Sequence, residues 1–240
     1  MSVEHSWLKK INGNSFEDIA IYTNAFDTVN IQLSQGESPE LLKQLGTIPI
    51  NTDEFLRAAQ SLVTLFNFLG SIKFKAVIDD LNKNITKVKN RMLAAPAESQ
   101  SLQDLVLNEL KSGSHTATEG LLWLGRSLDF TVQSLRHNLD NPSAEMSESF
   151  VAGYNATLSN FHPWLFRKAT LAAMGFCPAR VTFYRQLADE TYNDSQGTGP
   201  ALDEKVKAEV IPDLQKEVAA MERVVKILKT FQASKEAQWK

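Results

Sequence analysis

Asp80, Asn84 and Lys87 stand at i, i+4 and i+7 in a segment otherwise rich in apolar residues, a spacing that turns all three side chains to one face of a helix. A carboxylate accepts hydrogen bonds, an amide donates and accepts, and an ammonium donates. Together they suit several hydroxyls at once, as a sugar headgroup presents them. The same types at this spacing more often make a solvated helix face with a weak ion pair, and the stripe taken alone favours that reading. Trp123, in LLWLGR, and His162, in NFHPWLF, are the other chemistry-bearing residues that stand out. Taken singly, each reads as a core side chain, the histidine with one satisfied hydrogen bond.

The elements that must position these residues are helices. Apolar residues recur at helical spacing almost throughout, as in Phe55, Leu62, Leu65, Phe66 and Leu69, then Phe74, Val77, Ile78, Leu81, Ile85 and Val88, then Leu121, Leu122, Leu128 and Val132. No comparable run alternates with the period of two that a half-buried strand shows. Asn51 to Glu54 and Ser101 to Asp104 read as capping boxes, Gly70 as a helix stop, and Pro96 and Asn141-Pro142 as turns. The pattern predicts an all-α protein with helices over 53–69, 73–93, 101–111, 115–138, 147–161, 163–173, 179–188 and 203–234. Residues 1–50 carry weaker signals, with short helices expected at 15–28 and around 38–45 on either side of the polar SQGES stretch. They read as an N-terminal extension to a domain over 51–240, and 191–202 reads as a loop.

A chain of 240 residues, 43% of them hydrophobic, suffices for one large domain with a sizeable core. Lys and Arg number 25 against 28 Asp and Glu, so the net charge of −3 exerts no pull toward nucleic acid. The basic run Lys83, Lys87, Lys89 and Arg91 is offset by Asp79 and Asp80 and lacks interleaved aromatics, which reads as a solvated face able to help dock on an anionic bilayer. The lone Cys177 cannot close an internal disulfide, and residues 1–20 show no signal-peptide pattern, so a cytoplasmic protein is expected. Apolar runs such as Ala169–Phe176 fall short of a membrane span. His5, His115, His137 and His162 are scattered without a ligand partner at i+4, and no G-x-S-x-G, P-loop, C-x-x-C or dinucleotide fingerprint occurs. No metal, cofactor or catalytic site is expected.

Three segments together carry a family resemblance. LGSIKFKAVIDDLNKNITKVKNRM resembles the signature helix of the glycolipid transfer protein superfamily, Asp-x-x-x-Asn-x-x-Lys, here Asp80, Asn84 and Lys87. HTATEGLLWLGRSLDF resembles the family's tryptophan helix, with Trp123, and YNATLSNFHPWLFRKATLAA its histidine segment, with His162. LAAPAESQSLQDLVLNELKSGSHTATEGLLWL and the ending VVKILKTFQASKEAQWK are similar to the fungal branch, the heterokaryon-incompatibility protein C type. The resemblance covers roughly Asn51 to Lys240.

It implies a two-layer helical sandwich whose layers part to admit a ceramide into an internal apolar lipid chamber. Asp80, Asn84, Lys87 and Trp123 would then bind the sugar, Asp80 also accepting from the ceramide amide N–H and the indole meeting the hexose C–H face. His162 would donate to the ceramide carbonyl. Candidate chamber residues on the apolar faces of the later helices are Phe130, Phe150, Leu158, Phe161, Phe166, Leu171, Phe176 and Phe183, and Trp164 with nearby Lys and Arg would anchor at the bilayer interface. Pro163 stands where the family often has glycine, so a kink or helix restart is expected there, with His162 pushed out of the αR region. The branch specific for ceramide-1-phosphate carries arginines at the positions of Trp123 and Ser127, which argues against a phosphate headgroup. The resemblance thus implies a cytoplasmic monomer, peripheral at membranes, that carries a neutral glycosphingolipid with a simple sugar between them. Its rivals are a glycolipid sensor of the same fold, a ceramide-1-phosphate carrier, and an enzyme using His162 as a base.

Overall fold

A computed structural model describes residues 16, 44–70, 72–188 and 204–239. Their helices are α1 (Thr52–Phe68), α2 (Lys75–Ala94), α3 (Leu102–Lys111), α4 (Thr116–Asp140), α5 (Met146–Ala156), α6 (Trp164–Met174), α7 (Arg180–Ala188) and α8 (Glu204–Gln232), with short 3₁₀ turns at Pro96–Glu98, Leu158–Phe161 and Lys235–Ala237. The expected helix at 15–28, Phe16 apart, and the expected loop at 191–202 lie outside the described residues, and so does most of the helix expected around 38–45, whose end at 44–46 is helical.

The starts of these helices are set by side chains that satisfy free backbone N–H groups. Asn51 Oδ1 accepts from Glu54 N–H at 3.0 Å, and Ser101 Oγ accepts from Asp104 N–H at 3.0 Å. Gly70, at φ +121°, follows the end of α1. α4 has no side-chain cap of its own. The buried Glu109 of α3 supplies it, its carboxylate accepting from Ala117 N–H at 2.9 Å and from Thr118 N–H and Oγ1–H at 2.7 Å each.

One predicted helix divides. The run expected over 147–161 ends as α5 at Ala156, where Thr157 leaves the helical region (φ −127°, ψ −85°) and its hydroxyl donates back to the Gly153 carbonyl at 2.7 Å. At Pro163 the expected restart occurs: His162 is extended (φ −103°, ψ 137°) and Pro163 is the residue from which α6 begins.

α4 is the shared element of this layered all-α fold. α2, α5 and α8 all pack on it, α1 lies against α2, α7 against α8 and α6 against α5. Gly153 of α5 meets Ser134 of α4 so closely that a Cβ there would lie 2.7 Å from the Ser134 backbone nitrogen, which only glycine permits. Around this contact Phe66, Phe130, Phe150 and Tyr154 form an edge-to-face and stacked cluster with centroids 5.6 to 6.2 Å apart. Arg136 pairs with Glu222 at 2.8 Å and Lys229 with the buried Asp129 at 2.7 Å, tying α4 to α8.

The core also takes residues from the N-terminal side of the boundary expected at residue 50. Leu45, Ile48 and Ile50 are buried in it, and Gln103 clips their segment to α3, accepting from Ile50 N–H at 3.1 Å and donating to the Ile48 carbonyl at 2.7 Å. Phe16 is 1% exposed, packs edge-on against Phe55 at 6.4 Å and donates its N–H to Glu217 Oε1 at 3.0 Å. Phe16→Ala should therefore destabilise the fold by about 3–5 kcal/mol, lowering the melting temperature by roughly 10 °C, and deletion of residues 1–45 should do at least as much. Unchanged melting of both in a thermal scan followed by circular dichroism would support residues 1–50 as a separable extension.

Candidate functional site

Between α2 and α6 lies a cavity of about 570 Å³, the size of an ordinary small-molecule site. Phe74 and Val77 come from the start of α2, Ser127 and Phe130 from α4, Leu158 and Phe161 from the 3₁₀ turn, and Phe166, Ala169, Thr170, Ala173 and Met174 from α6. The wall is mostly apolar. Asp80, Trp123 and His162 interrupt it, with Lys73 at the edge.

α6 makes a wall because it is scarcely packed. Only Met174 of the helix is buried, and Trp164 through Ala169 are all exposed. Phe161 precedes the helix at 49% exposure, and Trp164 and Leu165 are 66% exposed, an apolar surface larger than scattered exposure explains. Lys168 lies over the Trp164 ring at 4.8 Å, and Lys73 over the Phe176 ring at 4.1 Å.

The polar stripe is set by a close helix crossing. A Cβ on Gly120 of α4 would lie 3.1 Å from the Asn84 carbonyl oxygen and 3.0 Å from Lys87 Cβ, so glycine lets α2 lie directly on α4. Asn84 is buried at the crossing and donates from Nδ2 to Asp80 Oδ2 at 3.1 Å. Lys87 reaches across to Glu119, Nζ to Oε2 at 2.8 Å. That hydrogen bond is the main reason the Glu119 carboxyl is held below its usual range, against a burial that works the other way.

Three residues after Gly120, Trp123 stacks on His162, centroids 5.9 Å apart and planes 17° from parallel. The Arg126 guanidinium lies over both Trp123, at 4.7 Å, and Phe161, at 3.7 Å, pinning the 3₁₀ turn to α4. His162 Nδ1 is 2.9 Å from the Tyr154 hydroxyl, its carbonyl accepts from Arg167 Nε–H at 2.8 Å, and Phe166 meets its ring edge-on at 4.7 Å. Burial pushes the imidazole below its ordinary pKa, the Asp80 charge opposes that, and Arg126 and Arg167 add to it. A neutral ring results. When the Tyr154 hydroxyl donates to Nδ1, Nε2 carries the proton and is the donor left for an occupant of the cavity.

Of the residues singled out in the sequence, Asp80, Trp123, His162, Phe130, Leu158, Phe161 and Phe166 line the cavity. Asn84 and Lys87 adjoin it along α2 without being part of its wall. Phe150 and Phe183 are instead fully buried in ordinary core packing, Leu171 packs partly buried against that core, and Phe176 is 56% exposed under Lys73. Core and cavity both require apolar residues at helical spacing, so periodicity could not separate them. Phe74, Val77, Ala173 and Met174 were missed for the same reason, although Val77 stands three residues before Asp80. Glu119 and Arg126, one turn either side of Trp123, were missed because Lys87 and Phe161, which they reach, are distant in sequence, and Tyr154 because its contact with His162 depends on the helix break between them. Among the described residues no group of His, Cys, Asp and Glu is placed to hold a metal ion, and no helix is long and apolar enough to cross a membrane.

Comparison with known proteins returns to the same segments. The family profile described as glycolipid transfer protein matches residues 50–189. A glycolipid transfer protein of Aureobasidium melanogenum is 46% identical over 190 residues, which is 79% of this chain and 87% of that protein. Among solved structures, HET-C2, a fungal glycolipid transfer protein, superposes with a TM-score of 0.75 at 39% identity, over 98% of this chain and 100% of that one. The structure describing how FAPP2 selects simple glycosphingolipids using the GLTP fold superposes with a TM-score of 0.72 at 26% identity, over 94% of each chain.

The lowered pKa of His162 has a consequence for stability. Its folded value lies below the unfolded value of about 6.5, so its neutral form stabilises the fold fully above that pH, and the contribution is lost as pH falls through the folded value. In melting experiments at pH 7.5 and then at stepwise lower pH, the stability gap between the wild-type chain and His162→Gln should shift in favour of the variant below about pH 6.5. A gap independent of pH would show that the imidazole is not buried as described.

Proposed function

The chain belongs to the glycolipid transfer protein family, and from that premise we propose that it is a soluble carrier which takes a glycosphingolipid with a simple, neutral sugar out of one membrane and releases it into another. One observation carries the reading: an acceptor, an aromatic plane and an imidazole, Asp80, Trp123 and His162, line one mostly apolar cavity. Asp80 and Asn84 take sugar hydroxyls, with Asp80 also accepting the ceramide amide N–H, and Lys87 donates to the sugar. The Trp123 indole lies against its C–H face. His162 Nε2–H donates to the ceramide carbonyl, and the hydrocarbon chains follow into the space bounded by Phe74, Phe130, Leu158, Phe166 and Met174. Relatives named as glycolipid transfer proteins, and FAPP2 with its simple glycosphingolipids, support the choice of ligand.

Burial is worth about 0.8 kcal/mol per methylene, so some thirty ceramide methylenes hold the lipid in its bilayer by roughly 20 kcal/mol. An apolar cavity replaces one hydrocarbon environment with another and lowers that barrier. No covalent bond changes, so the role has no catalytic residue and net flow follows the lipid gradient. The exposed Trp164, Leu165 and Phe166, flanked by Arg167 and Lys168, are suited to the bilayer interface, where amphipathic aromatics and snorkelling cations are favoured. The carrier then works as a cytoplasmic monomer with transient membrane contact.

Trp123→Ala should abolish transfer of fluorescent galactosylceramide between vesicles while far-ultraviolet circular dichroism stays near wild type, because the indole is only partly buried. A cooperative loss of fold of about 3–5 kcal/mol would make it a core residue instead. Asp80→Val should also lose transfer, since ligand hydroxyl and amide groups left unpaired in the site cost more than the missing bond, and wild-type rates in that variant would refute the assignment. Trp164→Ala should slow vesicle-to-vesicle transfer while lipid already loaded stays bound, as read by co-purified lipid. Equal rates would remove α6 from the docking surface.

A further inference from the structure

Glu119 was absent from the residues read from the sequence, yet it pairs with Lys87 in the polar rim beside the cavity. It lies one turn before Trp123 on α4, its side chain is 47% exposed, and its Oε2 holds Lys87 Nζ at 2.8 Å across the Gly120 crossing. Lys83 on α2 and His115 at the head of α4 also face it with weaker charge interactions, and Asp80 stands further along α2 with its Oδ2 on Asn84.

The rim therefore offers two carboxylates, an amide, and an ammonium whose charge already has a partner. A hydroxyl both donates and accepts, so it can give its proton to a carboxylate and take one from Lys87. A phosphate or sulfate only accepts. It would meet Asp80 and Glu119 as like charges and find Lys87 engaged.

We propose that Glu119 is a specificity-determining residue of the headgroup site, which admits hydroxyl-bearing heads and excludes anionic ones by occupying Lys87 and placing a negative charge beside Trp123. The inference rests on the reading of this cavity as a glycolipid site. Charge of the wrong sign discriminates more strongly than a missing attraction. Removing the carboxylate would leave Lys87, with Lys83 nearby, free to meet an anion.

The test measures transfer of two fluorescent lipids, galactosylceramide and ceramide-1-phosphate, between phosphatidylcholine vesicles by the wild-type chain, Glu119→Gln, Glu119→Ser and Glu119→Asp. Both charge-removing variants should raise the ceramide-1-phosphate rate above wild type by about tenfold, whereas Glu119→Asp, which keeps the charge, should not. Damage to the fold would lower both rates and cannot mimic this gain. A ceramide-1-phosphate rate that fails to rise in either charge-removing variant, with galactosylceramide still carried by the wild-type chain, overturns the assignment of Glu119. A wild-type chain that carries no galactosylceramide overturns the underlying reading of the cavity, so the two failures are distinct.

Discussion

The approach of α2 to α4 at Gly120 is the constraint on which the site depends. With the Asn84 carbonyl and the Lys87 stem both closer than ordinary contact to a hypothetical Cβ, a side chain at this position would require α2 or its Lys87 stem to give way. The groups that face one another across the crossing, Asp80, Asn84 and Lys87 on one side and Glu119 and Trp123 on the other, would then separate. Two segments some 35 residues apart become one surface only because one backbone can touch the other. The position of Trp123 along α4 depends in turn on where that helix begins, and Glu109 sets it from α3 rather than any residue of α4.

A cavity of this size leaves its lining side chains short of the dispersion contacts that a packed core would supply. The fold compensates beside the cavity: the aromatic cluster of Phe66, Phe130, Phe150 and Tyr154 and the Gly153–Ser134 contact hold α4 to α5, and the ties from Asp129 and Arg136 hold it to α8. α6 contributes almost nothing to that core. With Met174 as its one buried residue, α6 is the least packed of the described helices. Regions that must open to admit a ligand are drawn from the weakly packed part of a structure.

The helices were readable because each has an apolar stripe and capping residues adjacent in sequence, as at Asn51 and Ser101. Thr157 carried no comparable stop signal, and its break depends on local back-bonding and on the approach to Pro163. The types of the candidate headgroup residues were visible, and resemblance to one family grouped them, but their partners were not. Lys87 meets Glu119 across 32 positions and Asp129 meets Lys229 across a hundred, separations on which helical periodicity is silent. The same limit explains why Phe150 and Phe183 could not be told from Phe130 and Phe166. All four satisfy one pattern, and only the missing neighbour on one side distinguishes a wall from a core.

The polar groups of the rim pair with one another, Asn84 with Asp80 and Lys87 with Glu119. Such self-pairing matters energetically, because Asn84 is buried and Lys87 largely so, and an unpaired polar group there would be penalised. On the proposed reading of the site, binding a sugar exchanges bonds within the rim for bonds to hydroxyls, a substitution with little net gain. The hydrocarbon chains move from bilayer to cavity, also with little net gain. A carrier needs this near balance: tight binding at either end would hold the lipid and prevent its release. The rim's contribution is then selection among heads, since a head that cannot reproduce the exchanged bonds leaves carboxylates and an amide unpaired, and that loss is not offset elsewhere.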